Sequence, residues 1–350
     1  MDASQTSLKH IDSLIWIVIT AVAVAVLASS VAGPFHIAWA SFLKAAAACV
    51  LLLAAGWFYL AIRKDPIPAA ALMSTAQIAA FAAVGAPLSY IAASAGLPLW
   101  DTTYEAWDGS LGFDWHGLLT TMNAYPALHR VLAMAYASFT VQATVTVVAL
   151  AIANHPARLR VFILSFIFAT LITIAISSVM PAQGVWGHLN LSAHDYPAIT
   201  PATRDQHLAV FHGLRDGTFR SLMADGAEGI ITFPSLHAAL GLLFILAVWP
   251  IRYLRWVSTV LNVAMIASTP VDGGHYFCDA ITGIGIAMLC WTAARWIVRA
   301  QQADGAALLP PIADTPSIVP DIATDGTVTI RSLEIDLRQS GNRTDVTHTH

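Results

Sequence analysis

Charge is what this sequence has least of. Only 11% of its 350 residues are Asp, Glu, Lys or Arg, against about 25% in an ordinary soluble domain. With 57% hydrophobic residues and a mean hydropathy of +0.66, a water-soluble globular fold is excluded. Cysteine is scarce as well. Cys49, Cys278 and Cys290 all lie inside apolar stretches, and none has CxxC or zinc-ligand spacing. That leaves no disulfide framework and no metal site, only buried thiols. An excess of positive charge is also missing. The net charge of −4 resides wholly in residues 301–350, and the first 300 residues carry fourteen acids and fourteen bases. Without a basic patch, a nucleic-acid partner is excluded.

What the sequence does have is long apolar runs. They fall near 13–32, 38–62, 70–95, 127–153, 160–180, 236–251, 254–271 and 279–298. About 20 apolar residues carry a helix across the hydrocarbon core. The expectation is therefore an all-α polytopic membrane protein of about eight transmembrane helices, the sixth short enough to begin inside the protein. Ala28-Ser29-Ser30-Val31-Ala32 resembles a signal-peptidase site. The run before it has span length, however, and only Lys9 precedes it, which favours a retained helix.

Short loops set the orientation. Arg63 and Lys64, Arg158 and Arg160, Arg252 and Arg255, and Arg295 and Arg299 all fall on one side if the N-terminus is cytoplasmic. The opposite side receives Asp101, Glu105, Asp108 and Asp114. By the positive-inside rule both termini are expected in the cytoplasm. In a two-membrane bacterium this would be the inner membrane.

Two long external segments follow from this topology. Residues 96–126 suit an interfacial helix around Trp115, while 181–235 hold Leu208, Phe211, Leu214, Phe219 and Leu222 at roughly helical spacing. The second reads as an amphipathic helix on the membrane surface. Its histidines, His188, His194, His207 and His212, have no ligand-set spacing and read as solvated loop residues. After Gln301 the periodicity disappears and disorder is expected, with Val328–Leu333 a strand lacking a partner. The resulting organisation is an N-terminal three-helix segment (1–95), a second membrane domain (96–300) and a cytoplasmic tail (301–350).

Chemistry concentrates in residues 233–283. Phe233-Pro234-Ser235-Leu236-His237 opens the sixth apolar run, and Asp272-Gly273-Gly274-His275-Tyr276-Phe277-Cys278-Asp279 opens the eighth. The chain crosses twice between them, so His237 and His275 converge at one membrane depth. His275 and Asp279, four apart, share a helical face if a helix begins there. A carboxylate on one imidazole nitrogen makes the other a better nucleophile, and a second histidine can protonate a leaving oxygen. Single histidines near helix ends, and His–Asp pairs at this spacing, are more often structural. Ionisable groups at membrane depth shift the balance toward function.

These segments resemble the phosphatidic-acid-phosphatase type 2 (PAP2) superfamily, whose second and third motifs read P-S-G-H and S-R-x5-H-x3-D. Here they stand as Pro234-Ser235-Leu236-His237 and Ser268-Thr269-x5-His275-x3-Asp279, with every spacing kept. The Phe-Pro-Ser-Leu-His and His-Tyr-Phe-x-Asp forms look most like the inositol-phosphotransferase (inositol phosphorylceramide synthase) branch.

The resemblance implies that His275 is a nucleophile forming a phosphohistidine, Asp279 its orienting partner and His237 the general acid. Ser235 would help hold the phosphate. No metal or other cofactor is implied. Leu236 replaces the motif glycine, Thr269 replaces the motif arginine, and the first motif, K-x6-R-P, is missing because no Arg-Pro dipeptide occurs. Among Arg130, Arg204, Arg215 and Arg220, Arg215 is the expected replacement cation, as it lies in the amphipathic segment before the histidine motif. Losing the usual cations argues against a haloperoxidase.

The resulting expectation is phosphoryl or phospho-headgroup transfer from a lipid phosphate or phospholipid substrate in the bilayer, at the extracytoplasmic face. The acceptor is water in a lipid phosphatase, or a lipid hydroxyl in an inositol-phosphotransferase. The competing readings are a non-catalytic membrane scaffold and a transporter using the His/Asp cluster as an intramembrane polar site.

Overall fold

The computed structural model describes residues 3–192, 194–201, 205–227, 229–307, 321–322 and 328–329. Two compact units are separated at Leu308/Leu309. In the smaller unit, Asp321–Ile322 pairs antiparallel with Val328–Thr329. The strand expected there thus has a local partner, while the expected disorder of the tail lies outside the described residues.

The larger unit is helical. It contains α1 (Ala3–Ala32), α2 (Leu43–Phe58, prolonged by a π-turn over Tyr59–Arg63), α3 (Pro66–Ala93), α4 (Asp101–Ser110), α5 (Trp115–Ala124), α6 (Pro126–Ala137) and α7 (Phe139–Ile152). After these come α8 (Pro156–Val179), α9 (Val185–His188), α10 (Asp205–Asp216), α11 (Leu236–Val248), α12 (Leu254–Asp272) and α13 (Phe277–Ala307).

Five helical segments are long and apolar enough to cross a membrane: Ser7–Val31, Trp39–Arg63, Pro66–Ala93, Pro156–Val179 and Phe277–Ala303. The pair α6–α7, bent by 52° at Ser138, makes a sixth if it is one span. The sixth and seventh runs of the sequence do not reach that standard. α11 has 13 residues, about 20 Å of helix at 1.5 Å per residue, against a core about 30 Å thick. α12 is amphipathic, with Trp256, Val257, Val260 and Val263 exposed and Ser258, Asn262 and Met265 buried. An apolar run shows that a segment avoids water; whether protein or lipid surrounds it is a matter of packing. For α11 the surroundings are protein, since it lies against α7, α8, α12 and α13.

Small residues allow that packing. A Cβ on Gly283 of α13 would lie 2.3 Å from the Ser235 carbonyl oxygen, so only glycine lets α13 run this close to the start of α11. At the other end of α11, Arg158 donates to the carbonyls of Leu246 and Ala247 and lies over the Trp291 ring. It thereby satisfies carbonyls that a helix C-terminus leaves open. Arg160 makes a two-pronged pair with Asp12, at 3.1 and 2.8 Å, tying α8 to α1. Two arginines that marked a short loop in the sequence therefore fasten helix ends.

The longer connections between helices gather at the opposite end. His36–Ile37 pairs in parallel with Ser221–Leu222, and the Tyr90 hydroxyl donates to the Gly226 carbonyl at 2.7 Å. Two carboxylates organise the remainder. Asp101 accepts from the Gln183 and Gly184 amides and the Tyr276 hydroxyl at 3.0–3.1 Å. Asp108 accepts from the Trp115 indole and from the Phe277 and Cys278 amides. Asp108 thus supplies α13 with its N-terminal cap from 169 residues away. Both acids are buried, whereas the sequence presented them as external charge. Burial pushes the Asp101 carboxyl up, and its three donors pull it back.

Candidate active site

The segment Asp272–Asp279 turns tightly between α12 and α13. Gly274 has φ +62°, which an L side chain rarely adopts. At Gly273 an added Cβ would lie 2.4 Å from the His275 ring and 2.8 Å from the Tyr136 hydroxyl oxygen. His275 comes just before α13, so it meets Asp279 by a capping geometry rather than along one helical face. Its Nδ1 is 3.2 Å from Asp279 Oδ2, which also accepts the Tyr276 amide at 3.0 Å. An ionised carboxylate can only accept, so Nδ1 carries the proton and Nε2 keeps its lone pair. Asp279 is wholly buried and His275 nearly so.

His237 sits in the first turn of α11, whose N-cap is Ser235. The Ser235 hydroxyl accepts from the Ala238 amide at 3.3 Å, and its own amide donates to the Asp279 carbonyl at 3.1 Å. Ser235 therefore joins the two motif segments through its backbone while its hydroxyl caps the helix. The His237 ring stacks on Tyr136, centroids 4.0 Å apart and planes at 16°, and meets Phe139 edge-on at 4.9 Å. Aromatic walls on two sides fix its orientation.

His237 and His275 line one cavity of about 580 Å³, within the roughly 300–1,000 Å³ typical of small-molecule sites. The rest of its wall is mostly apolar, with Phe81 and Gly85 from α3, Phe139 from α7, Phe166 and Ile174 from α8, and Leu240 from α11. The two motif histidines are brought together as the sequence predicts.

Arg215 is placed differently. Its Nη2 donates to the Leu97 carbonyl at 2.7 Å, its guanidinium lies 5.4 Å from the Phe211 ring centre, and Nη1 is buried with no hydrogen-bond partner among the described residues. It does not line the cavity. Arg130 is exposed, and Arg204 lies outside the described residues.

Three features of the site escape the sequence. His207 of α10, read there as a solvated loop residue, lines the same cavity. A signal for it existed: His207 stands four and seven residues before the buried Phe211 and Leu214, on the inward stripe of α10. The second feature is a buried pair, His129 Nε2 to Asp272 Oδ1 at 3.0 Å, joining α6 to the residue that opens the His275 turn. Tyr136, the stacking partner of His237, is the third. Among the described residues, no three His, Cys, Asp or Glu side chains are grouped to hold a metal ion.

No curated protein and no solved structure matches the chain. A family model described as the PAP2 superfamily matches residues 104–293, more than half of the sequence. The match runs from Tyr104, packed between Phe233 and Tyr276, through both histidine segments and most of α13. With the two motif spacings intact inside the matched region, the chain belongs to the PAP2 superfamily.

Proposed function

We propose that this protein transfers the phosphoryl or phospho-headgroup of a membrane lipid through a phosphohistidine on His275. The observation that carries the reading is the His275–Asp279 pair, whose outward ring shares an apolar cavity with His237. Membership of the superfamily supports phosphatase or phosphotransferase activity. The cavity supports a lipid, because most of its wall is apolar, as an alkyl chain requires, and the histidines line the same space.

In the first step, His275 Nε2 attacks phosphorus and forms a P–N bond as the P–O bond to the lipid breaks. His237 gives its proton to the departing oxygen, and a phosphate's negative charge beside it favours the imidazolium that this requires. In the second step, an acceptor O–H attacks phosphorus, the P–N bond breaks, and the acceptor's proton passes to His237. Asp279 stabilises the charge that builds on the His275 ring throughout. Water as acceptor makes the enzyme a lipid phosphatase, and a lipid hydroxyl makes it a transferase of the inositol type. The extracytoplasmic location rests on the arginine-rich turns, which lie at the helix ends away from His275.

The deciding experiment is mass spectrometry of products from the purified protein and from His275→Ala. Both are incubated in mixed micelles with phosphatidic acid, a polyprenyl diphosphate, and phosphatidylinositol plus ceramide. Free phosphate with a dephosphorylated lipid identifies a phosphatase; a new phospholipid with diacylglycerol release identifies a headgroup transferase. Silence on every substrate, equal in both proteins, returns the scaffold reading.

Chain-length selectivity gives a second test. Ala82, Gly85, Ala86 and Ser89 of α3 present small side chains to the cavity. A Cβ on Gly85 would touch only the Phe81 ring, at 3.7 Å, so a larger side chain there would project into the space. Gly85→Leu is expected to cut turnover of a dihexadecanoyl phosphate roughly tenfold or more. It should leave a dioctanoyl phosphate nearly unaffected, since each methylene kept from burial forfeits about 0.8 kcal/mol. Equal effects on both chain lengths would show that α3 does not contact the lipid tail.

A further inference from the structure

Phosphate recognition in this site lacks its usual cations. Position 269 is Thr rather than Arg, and no Arg-Pro dipeptide occurs in the chain. Among the described residues that line the cavity there is no Arg or Lys, and the polar ring nitrogens come from His207, His237 and His275. Two of these have tasks in the proposed mechanism. The third does not.

His207 is built into the cavity wall. α10 turns Phe211 and Leu214 into the protein, and His207 falls on that stripe. Leu208, beside it, packs against Gly187, where even a Cβ would lie 2.8 Å from its methyl group. The His207 ring makes no hydrogen bond to any described residue, and it is half-buried and open to the cavity. A ring donor that faces the cavity without a protein partner is free to bond a ligand oxygen there. Burial first, and the nearby His275 second, hold its pKa down to about 4. With no anion beside it the ring is therefore neutral at neutral pH, and it has an N–H to give to a ligand oxygen.

Resting on the phosphoryl-transfer reading, we propose that His207 is a third substrate-contacting histidine that donates a ring N–H to the phosphoryl group in the cavity. It takes over part of the anchoring that arginines would provide. This assigns α10 to the active site and gives its histidine a role in binding, separate from nucleophile and acid. A donor without a permanent charge also suits the site, because a fixed cation beside His237 would oppose its protonation.

The test compares wild type, His207→Ala, His207→Gln and His212→Ala. His212 is on the same helix but exposed and away from the cavity. Two readouts are needed: KM and kcat for a lipid phosphate, and the inhibition or binding constant of orthovanadate and inorganic phosphate. His207→Ala is expected to weaken KM and oxyanion binding roughly ten- to hundredfold, the worth of a hydrogen bond to a charged group. The kcat at saturation should fall much less. His207→Gln, which keeps an N–H donor, should recover most of the loss, and His212→Ala should match wild type. If turnover persists and His207→Ala binds substrate and oxyanions like wild type, the assignment is wrong while the enzyme reading stands. A loss confined to kcat, or one that Gln does not relieve, also overturns it. If no lipid is turned over but phosphate binding still depends on His207, the binding role holds and the enzyme reading falls. Binding of the oxyanions to His207→Gln covers the case in which the alanine variant fails to fold.

Discussion

His275→Ala is expected to lose turnover by on the order of 10⁴-fold or more, the scale seen when a nucleophile that acts with its partners as one unit is removed. The loss should appear in kcat, because the imidazole forms a bond in the reaction and contributes little to holding the lipid tail. Asp279→Asn is a finer probe. The amide fits the same buried space but can turn its NH₂ toward Nδ1, which favours the tautomer that places the proton on Nε2. A loss of roughly 10³-fold or more is expected with the fold intact. His237→Ala should depend on the leaving group. With a lipid alkoxide the loss falls in the roughly 10²–10⁴ range of general acid catalysis; with p-nitrophenyl phosphate, whose phenolate departs without a proton, it should shrink markedly. Rapid-quench trapping with a labelled lipid phosphate should give an acid-labile, base-stable adduct in wild type and none in His275→Ala. A His275→Ala protein within tenfold of wild type would end the mechanism, whatever the fold.

The legible and illegible parts of this site divide by sequence separation. His275 and Asp279 could be paired on paper because four residues separate them, and the structure joins them at 3.2 Å. The pairing is right although its form differs: His275 stands before the helix, and Asp279 reaches back as it caps the Tyr276 amide. His237 and His275 fall on one side of the membrane for any even number of crossings between them, so topology alone joins them. The relation of His129 to Asp272 spans 143 residues, and no local pattern announces it. Asp101 and Asp108 escape the sequence for the same reason, since their amide donors arrive from 82 to 170 residues away. Acids in an external segment look exposed until those donors are known. The count of eight spans rested on apolar runs, which report dehydration and not the identity of the neighbour. That is why the 13-residue α11 reads like a span although protein surrounds it. His207 is the intermediate case. Its place on the Phe211 and Leu214 stripe was visible, but loop histidines are usually solvated, and only the cavity shows that this one is not.

Removing His129 should destabilise the fold far more than removing an arginine from a pair of similar length. His129–Asp272, at 3.0 Å, has side chains only 3% and 4% exposed, while Arg160–Asp12, at 2.8 Å, has 12% and 29%. Distance does not separate the two pairs; burial does. His129→Ala leaves the Asp272 carboxyl in the interior with its remaining oxygen, Oδ2, already lacking a partner among the described residues. Stranding one member of a buried pair costs roughly 3–5 kcal/mol, and the cost falls toward about 0–1 kcal/mol, the worth of fully exposed pairs, as solvent reaches the charges. Thermal unfolding in detergent should therefore show a drop of several degrees for His129→Ala and a smaller one for Arg160→Ala. The double variant His129→Ala/Asp272→Ala should be more stable than the sum of the single losses predicts, because it removes the stranded carboxyl as well. Activity should follow stability here. Asp272 precedes the Gly273-Gly274 turn, where the packing leaves no room even for a Cβ beside the His275 ring, so a loosened Asp272 shifts the nucleophile. The expected signature is a lower kcat that persists well below the unfolding temperature. A His129→Ala protein that melts with wild type and turns over at its rate would mean that the pair neither holds the turn nor positions His275.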